Sequence, residues 1–202
     1  MDSTDAGAHM PDGSDEAELI KAARAGDREA FHLLVDRHHK ALFHLVVVRT
    51  RSRMDAEDIV QEVFFKAWAK LKYLKKGTAF RSWLYQIALN KVRDYYRRRK
   101  VRAIFGSLEE MPEYDLPEAA RTPAGGYRRV ARKHFWKDFY QMLDCLAKME
   151  REVFLLRFFD ELSINEISRT LGKGESTIKT HLYRALRKVR IRAEKLDLEI
   201  EA

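Results

Sequence analysis

The fold is decided by residues 55–100, which read DAEDIVQEVFFKAWAKLKYLKKGTAFRSWLYQIALNKVRDYYRRRK. Apolar residues in this stretch recur three and four positions apart, which predicts two amphipathic helices joined by a turn at residues 75–78. Asp55 is predicted to cap the first helix, because its carboxylate can accept a hydrogen bond from an amide of the first turn.

The outward faces of these two helices differ in character. Asp58, Gln61, Glu62 and Phe65 follow the spacing i, i+3, i+4, i+7 and so share one face of the first helix. A phenyl ring among acids and an amide, on a face that should be wet, indicates a surface for a protein partner. After Asn90 the second helix continues as KVRDYYRRRK. Basic residues interleaved with aromatic ones suit a nucleic-acid strand, because cations neutralise phosphates and rings stack on unpaired bases.

The charge of the chain is moderate but unevenly placed. The 202 residues include 39 Lys or Arg and 31 Asp or Glu, which gives a net charge of +8. The first eighteen residues contain six acids and residues 107–118 contain five, and neither segment contains Lys or Arg. The basic charge therefore concentrates on particular helices, which favours a nucleic-acid partner.

Cysteine content and hydropathy narrow the class of protein further. The single cysteine, Cys145, excludes an intramolecular disulfide and a thiolate metal cluster, and its apolar neighbours predict that it is buried. No run of apolar residues approaches membrane-spanning length, and the N-terminus has no signal-peptide pattern. We therefore expect a soluble, cytoplasmic protein.

Breaks in periodicity divide the chain. Residues 1–13 are predicted to be a disordered tail and residues 14–101 a domain of four helices. Three prolines and a Gly-Gly pair fall in residues 102–127, which predicts a flexible linker. Residues 128–202 return to helical periodicity. No segment shows strand alternation flanked by hairpin turns. The predicted fold is all-α, with two small helical domains joined by the linker.

The second domain ends in a pattern typical of a helix-turn-helix. Ser163 and Glu166 form a capping box that opens a short helix, and residues 172–174 supply a glycine turn. Ser176 or Thr177 is predicted to cap a last helix, which carries six Lys or Arg and no acid up to Arg192. Such a second helix enters the major groove of DNA. The alternative is a plain helical hairpin with a solvated basic face.

Enzymatic sites are not apparent. The run Gly172-Lys173-Gly174 lacks the earlier glycine, the Lys-Ser/Thr pair and the preceding strand of a phosphate-binding loop. The seven histidines show no metal-ligand spacing, and no nucleophile or carboxylate pair stands out from its helix. We expect no enzyme, no metal and no cofactor.

Several motifs together resemble a known family. They are AGDREAF at residues 25–31, DAEDIVQEVF at 55–64, FRSWLYQIA at 80–88 and REVF at 151–154, followed by the helix-turn-helix. In order and spacing, residues 15–195 resemble the extracytoplasmic-function (ECF, group IV) sigma factors of bacterial RNA polymerase. The resemblance implies the second and fourth sigma domains, an RNA polymerase core partner, promoter DNA and an anti-sigma factor.

The resemblance also implies roles for particular residues. The core-binding helix of the family docks on the β′ clamp helices, here through Asp58, Gln61, Glu62 and Phe65, while the β flap is a further expected contact. The melted non-template strand of the minus-ten element is expected at Lys76, Gly77, Thr78, Asn90, Asp94, Arg97 and Arg98. The minus-35 duplex is expected at Ser176, Thr177, Lys179, Thr180, Tyr183, Arg184 and Arg187.

One departure and two alternatives stay open. Lys173 stands in the turn where the family usually has an apolar residue, so this turn either packs less tightly or touches a phosphate. The runner-up function is a stand-alone helix-turn-helix regulator whose N-terminal domain senses a ligand or dimerises. A weaker third class is an enzyme acting on nucleic acid.

Overall fold

The computed structural model describes residues 13–74, 79–105 and 126–200, with side chains over 16–74, 79–101 and 135–192. All regular structure in these ranges is helical, so the predicted all-α fold is confirmed for them. Most of the predicted tail and linker lies outside the described residues, as does the turn at 75–78. Neighbouring helices nevertheless extend into both segments, at residue 13, at 102–105 and at 126–127.

Eight α-helices and one 3₁₀ turn are described. The N-terminal group comprises α1 (Gly13–Arg24), α2 (Arg28–Thr50), α3 (Arg53–Lys70), the 3₁₀ turn Leu71–Tyr73 and α4 (Phe80–Phe105). The C-terminal group comprises α5 (Gly126–Asp144), α6 (Lys148–Phe158), α7 (Ile164–Leu171) and α8 (Glu175–Ile200). The four N-terminal α-helices correspond to the four that the periodicity predicts.

The N-terminal group packs around α2. Helices α1, α3 and α4 all contact it. Leu34 and Leu42 of α2, Val63 of α3 and Leu84 of α4 are fully buried between the helices. Asp27 caps α2 by accepting a hydrogen bond from the amide of Ala30 at 3.1 Å. This packing fixes the outward faces of α3 and α4.

The predicted cap of α3 is wrong by three residues. The helix begins at Arg53, and Ser52 is its N-cap, accepting from the amide of Asp55 at 3.3 Å. Arg51 adopts left-handed backbone angles, with φ of 59°, and ends α2 immediately before this cap. Helix α3 therefore begins directly after Ser52, the first residue beyond that turn whose side chain can cap a helix. Asp55 lies in the first turn, and its carboxylate accepts from the hydroxyl of Tyr95 at 2.9 Å.

The C-terminal group has an aromatic layer and a small aliphatic core. Phe139 of α5 and Phe159, just after α6, have ring centroids 4.7 Å apart, while Ile167 and Ile178 are fully buried. Cys145 is exposed, so its predicted burial is wrong. It follows the last residue of α5, between the buried Leu143 and Leu146, at a position that faces outward.

The two groups contact each other across α4 and α7. The hydroxyl of Thr170 on α7 donates to the backbone carbonyl of Ser82 on α4 at 3.3 Å, and both residues are buried. Among the described residues, no helix combines the length and apolar character that crossing a membrane requires.

Candidate protein and nucleic-acid interfaces

A groove of about 650 Å³ runs between α2 and α3. Its lining is mostly apolar and aromatic, with a polar rim, and consists of Arg28, Phe31, Val35, His39, Glu57, Asp58, Val60, Gln61, Phe64, Phe65 and Trp68. Phe65 is 68% exposed on one wall, although a side chain of this size normally avoids water. An exposed ring beside an apolar groove is typical of a protein-binding surface.

The floor of the groove is held by ring contacts. Phe31 of α2 and Trp68 of α3 have centroids 4.9 Å apart. The imidazole of His39 is parallel to the rings of Phe43 and Phe64 at 6.4 and 6.3 Å. Rings packed across the two helices give the groove a fixed shape, so a partner meets a largely preformed surface.

Three of the four predicted polymerase-contact residues line this groove, namely Asp58, Gln61 and Phe65. Glu62 does not line it. Its carboxylate lies 2.5 Å from the ammonium of Lys91 and so joins α3 to α4. Each step of one residue along an α-helix turns the side chain by about 100°. Gln61 therefore faces the groove, while Glu62 faces α4.

The α2 wall of the groove was missed by the sequence reasoning. Phe31, Val35 and His39 come from α2, a helix to which the sequence analysis assigns no contact residue. Their spacing of four residues, offset from the fully buried stripe of Leu34 and Leu42, is the signal that could have separated them. On α3, Trp68 continues the line of Gln61 and Phe65.

The basic end of α4 presents cations to solvent, among them Arg97 and Arg98, which were predicted to contact the minus-ten strand. Arg97 is 78% exposed and lies 3.3 Å from Asp94, one helical turn away, and Arg98 is exposed. The side-chain carbonyl of Asn90 accepts from Arg93. The other predicted minus-ten residues, Lys76, Gly77 and Thr78, lie outside the described residues.

Two tyrosines anchor this end of α4 to the body of the protein. The hydroxyl of Tyr95 donates to Asp55, and that of Tyr96 donates to the backbone carbonyl of Arg49. Burial, followed by the hydrogen bond to Asp55, raises the pKa of Tyr95. Tyr96 keeps 43% of its surface exposed, so its ring remains accessible while its hydroxyl is held.

Trp83 has a different setting. It is half-buried against the core and packs on Phe80 with centroids 5.8 Å apart. This favours a packing role over a stacking platform for Trp83.

The helix-turn-helix is held together by local hydrogen bonds. Ser163 accepts from the amide of Glu166 at 3.2 Å, and Glu166 accepts from the amide of Ser163 at 2.9 Å, which confirms the predicted capping box. Gly172 ends α7 in the left-handed region, at φ of 62°, where a side chain is strained. The hydroxyl of Ser168 donates to the carbonyl of Lys173 at 2.6 Å, which closes the turn. The side chain of Lys173 is left exposed.

The last helix begins at Glu175, so neither Ser176 nor Thr177 caps it and that expectation is wrong. The first helical hydrogen bond runs from the amide of Ile178 to the carbonyl of Gly174 at 3.1 Å. The helix thus begins directly after Gly174, two or three residues earlier than predicted. Asn165 of α7 donates to the carboxylate of Glu175 at 3.0 Å and fixes the two helices at their crossing.

The outward face of α8 is fully available. Ile178 and Ala185 are buried. The seven predicted DNA-contact residues are all exposed, namely Ser176, Thr177, Lys179, Thr180, Tyr183, Arg184 and Arg187. The hydroxyl of Thr180 donates to the carbonyl of Ser176 at 2.9 Å. Cations flanking an exposed ring on a helix of this kind suit the edges of bases and the phosphates beside them.

Glu150 links α6 to α8. Its carboxylate lies 2.6 Å from the ammonium of Lys188 and accepts from the amide of Ala147 at 3.0 Å. The hydrogen bond from Lys188 is the largest of the effects that hold the pKa of Glu150 below its usual range. The part of the chain with described side chains holds no group of three His, Cys, Asp or Glu that could bind a metal.

Comparison with known families matches both helical groups. Residues 34–102 match the family described as Sigma-70 region 2, and residues 136–189 match Sigma-70, region 4. The first range contains α3 and most of α2 and α4, and the second contains the helix-turn-helix.

Individual proteins are similar over most of their length. The chain is 31% identical over 180 residues to the RNA polymerase sigma factor NccH of Alcaligenes xylosoxydans xylosoxydans, covering 89% of this chain and 95% of that one. It is 30% identical over 183 residues to the ECF RNA polymerase sigma factor SigW of Bacillus subtilis, covering 84% and 93%. The solved structure of CnrH of Cupriavidus metallidurans, in complex with the cytosolic domain of CnrY, is similar at 27% identity with a TM-score of 0.66, covering 90% and 98%.

Proposed function

The chain belongs to the extracytoplasmic-function (ECF) sigma factors of bacterial RNA polymerase, and from that premise we propose how its surfaces divide the work of promoter-specific initiation. As a sigma factor it directs the polymerase core to particular promoters. The alternative of a stand-alone regulator is not favoured, because such a regulator needs no region 2.

The polymerase core docks in the groove between α2 and α3. The observation that carries this proposal is the exposed Phe65 beside an aromatic floor and the polar rim of Asp58 and Gln61. Such a groove suits an amphipathic helix, whose apolar side fills the floor while its polar side meets the rim. The β′ clamp helices are the expected occupant. Region 4 is expected to contact the β flap.

The basic end of α4 holds the melted strand of the minus-ten element. Arg97 and Arg98 supply exposed cations for phosphates, and the accessible ring of Tyr96 supplies a surface for an unpaired base. Stacking contributes on the order of 1–3 kcal/mol per base, which offsets part of the cost of unpairing. Lys76, Gly77 and Thr78 complete the proposed strand-binding site.

Helix α8 reads the minus-35 element as duplex. Its outward face is narrow enough for the major groove and presents Lys179, Tyr183 and Arg184 to base edges. The Thr180 hydroxyl on this face is bonded within α8, to the carbonyl of Ser176, and so does not tie the face to another helix.

An anti-sigma factor controls the protein. Support comes from CnrH, whose solved complex contains the cytosolic domain of CnrY. The groove and the exposed aromatic residues of this chain are surfaces that such a partner would cover. Because the same groove is proposed for the polymerase core, the two partners would compete.

The test is run-off transcription with purified core polymerase on a pool of promoters. Asp58→Ala/Gln61→Ala, at two residues that line the groove, is compared with Lys66→Ala/Lys70→Ala, a double variant on the same helix at residues that do not line it. We expect initiation from a shared sequence, lost in the first variant and kept in the second. Tight sequence-specific DNA binding without polymerase, and no initiation with it, would identify a stand-alone regulator instead.

A further inference from the structure

Another exposed ring lies outside the groove, in the 3₁₀ turn that follows α3. Tyr73 is 70% exposed, although the turn that carries it is firmly held. Leu71 before it and Leu74 after it are buried, and the amide of Leu74 donates to the carbonyl of Leu71 at 3.0 Å. The backbone therefore fixes the position of the Tyr73 ring while the surface of the ring remains in water.

The stretch of chain around this ring is strongly basic. Residues 63–93 contain eight Lys or Arg and no Asp or Glu. The ammonium of Lys72 lies 5.0 Å from the centroid of the Tyr73 ring and so covers one face of it at most, which leaves the other face for a ligand. A ring with one free face, in a stretch rich in cations, suits an unpaired base and the phosphates beside it.

The ring is turned away from the groove that we assign to the polymerase core, and Tyr73 does not line that groove. Counted at about 100° per α-helical residue and about 120° per 3₁₀ residue, Tyr73 lies about 180° around the axis from Gln61 and about 80° from Glu62. Glu62 is on the α4 side of α3, since its carboxylate pairs with Lys91. Tyr73 is therefore turned toward α4 rather than toward the groove.

Helices α3 and α4 run antiparallel, so Tyr73 and the basic end of α4 lie at opposite ends of the pair. Asp55 accepts from Tyr95, whereas Glu62, further along α3, pairs with Lys91, earlier on α4. Tyr73 is about 28 Å along the axis from Asp55, at 1.5 Å per residue of α3 and about 2.0 Å per residue of the 3₁₀ turn. A stacked strand advances about 3.4 Å per nucleotide, so about eight nucleotides cover that length, and fewer do so when the strand is extended.

We propose that Tyr73 is a second base-stacking site, which holds one unpaired base of the melted strand about eight nucleotides or fewer from the base at Tyr96. Its ligand is an unpaired nucleobase of any sequence, because stacking uses the π-face that every base presents. The inference rests on the proposed function, which places the melted strand at the basic end of α4. Two separated stacking sites hold the strand open along its length, whereas Tyr96 alone holds one end of it.

The competing explanation for an exposed ring is a contact with a protein. The two explanations differ in when the ring matters. A ring that binds a protein partner contributes to docking of the polymerase core, before any DNA is melted. A ring that stacks on a base contributes only after the strands have separated, so its removal leaves core binding unchanged and weakens the open complex.

The first test maps the melted strand with 2-aminopurine, placed at successive positions of the non-template strand of the promoter found by run-off transcription. In open complexes of the reconstituted holoenzyme, we expect two separated positions at which stacking quenches the fluorescence. Tyr73→Ala should restore the fluorescence at one of them only, and Tyr96→Ala should restore it at the other. Tyr73→Phe is the matched control and should quench as the unmodified protein does, because it keeps the ring.

The second test separates docking from opening. Tyr73→Ala should lower the equilibrium constant for forming the open complex by about fivefold or more, the change expected when one stacked base loses its platform. Its binding to core polymerase, measured by fluorescence anisotropy, should equal that of the unmodified protein. Tyr73→Phe should match the unmodified protein in both measurements. Because the ring is largely exposed, each variant should keep the helical circular dichroism of the parent.

Three results would overturn the second stacking site. One is a strand that responds to Tyr96→Ala but has no position whose fluorescence depends on Tyr73. Another is a Tyr73→Phe protein that behaves as Tyr73→Ala does, since the hydroxyl rather than the ring would then be required. The third is weaker core binding by Tyr73→Ala, which would assign the ring to a protein partner. Failure of the proposed function looks different, because no form would initiate and no position would respond to either tyrosine; that result would overturn both proposals.

Discussion

The position of an exposed aromatic ring, rather than its exposure, decides whether it belongs to a given binding surface. Phe65 and Tyr73 are 68% and 70% exposed, but only Phe65 lines the groove. Neither ring is packed in the core, so removing either should change the free energy of unfolding by no more than about 0.5 kcal/mol. Exposure by itself therefore does not distinguish them, whereas position does.

We expect Phe65→Ala to weaken binding of core polymerase by at least about tenfold, since an aromatic anchor in a groove contributes roughly 2 kcal/mol or more. Tyr73→Ala is the control and should bind as the unmodified chain does. Fluorescence anisotropy with labelled protein and purified core measures both. Equal binding by the two variants would remove the groove from the interface.

A second residue-scale prediction concerns acid. Because the folded-state pKa of Glu150 is lowered, its stabilisation is complete above about pH 4.5 and is lost as the pH falls through the folded value. Urea unfolding between pH 7 and pH 3 should show the protein losing stability toward acid. Glu150→Gln should be less stable at pH 7 and should flatten that dependence, while Glu161→Gln, at an exposed position, should not.

At the scale of elements, the capping box of α7 was predicted correctly, whereas the caps of α3 and α8 were not. The capping box of Ser163 and Glu166 is confirmed because both partners lie within four residues. The cap of α3 is wrong because Ser52 and Asp55 can both cap, and Tyr95, forty residues away, occupies the Asp55 carboxylate. Periodicity carries no information about such a distant partner.

The candidate sites divide in the same way. The outward face of α8 follows from the period of one helix, and all of its predicted residues are exposed. The groove needs two helices in a particular register, so Phe31 and His39 of α2 could not be assigned to it from the α3 pattern alone. Glu62 was grouped with Asp58 by spacing, although its carboxylate pairs with Lys91 of α4 and does not line the groove.

The helix-turn-helix offers a prediction about two cations with different positions. Lys173 lies exposed in the turn, where a phosphate is the expected contact, whereas Arg184 lies on the reading face of α8. With holoenzyme on its preferred promoter, Lys173→Ala should reduce the salt dependence by about one unit of slope and leave sequence preference unchanged. Arg184→Ala should cost about 1–3 kcal/mol and relax preference at one position.

Lys148→Ala, at an exposed position on α6, controls for the loss of one positive charge. Titrations at several salt concentrations, on the preferred promoter and on single-base variants of it, separate the two effects. Identical behaviour of Lys173→Ala and Arg184→Ala would contradict the assignment of turn and helix.

At the scale of the whole molecule, the side chain of Arg49 on α2 is 5% exposed and pairs with Glu152 on α6 and with Asp160 just after it, and this ion pair should make the two helical groups unfold together. Calorimetry of the unmodified chain should show one transition. Glu152→Gln/Asp160→Asn leaves Arg49 without its acids, at a cost of about 3–5 kcal/mol, and should split the transition in two. Two transitions already present in the unmodified chain would mean that the groups are energetically independent.

The arrangement of charges across this contact also limits modular exchange. Hybrid factors made by joining region 2 of one protein to region 4 of another treat the two as interchangeable cassettes. Here region 2 carries Arg49, whose side chain is 5% exposed, and region 4 supplies both of its carboxylate partners, Glu152 and Asp160. A hybrid whose region 4 has neutral residues at positions 152 and 160 would keep the DNA-reading surfaces of both parents. It would leave Arg49 without a carboxylate partner, and the contact between its two helical groups would be lost.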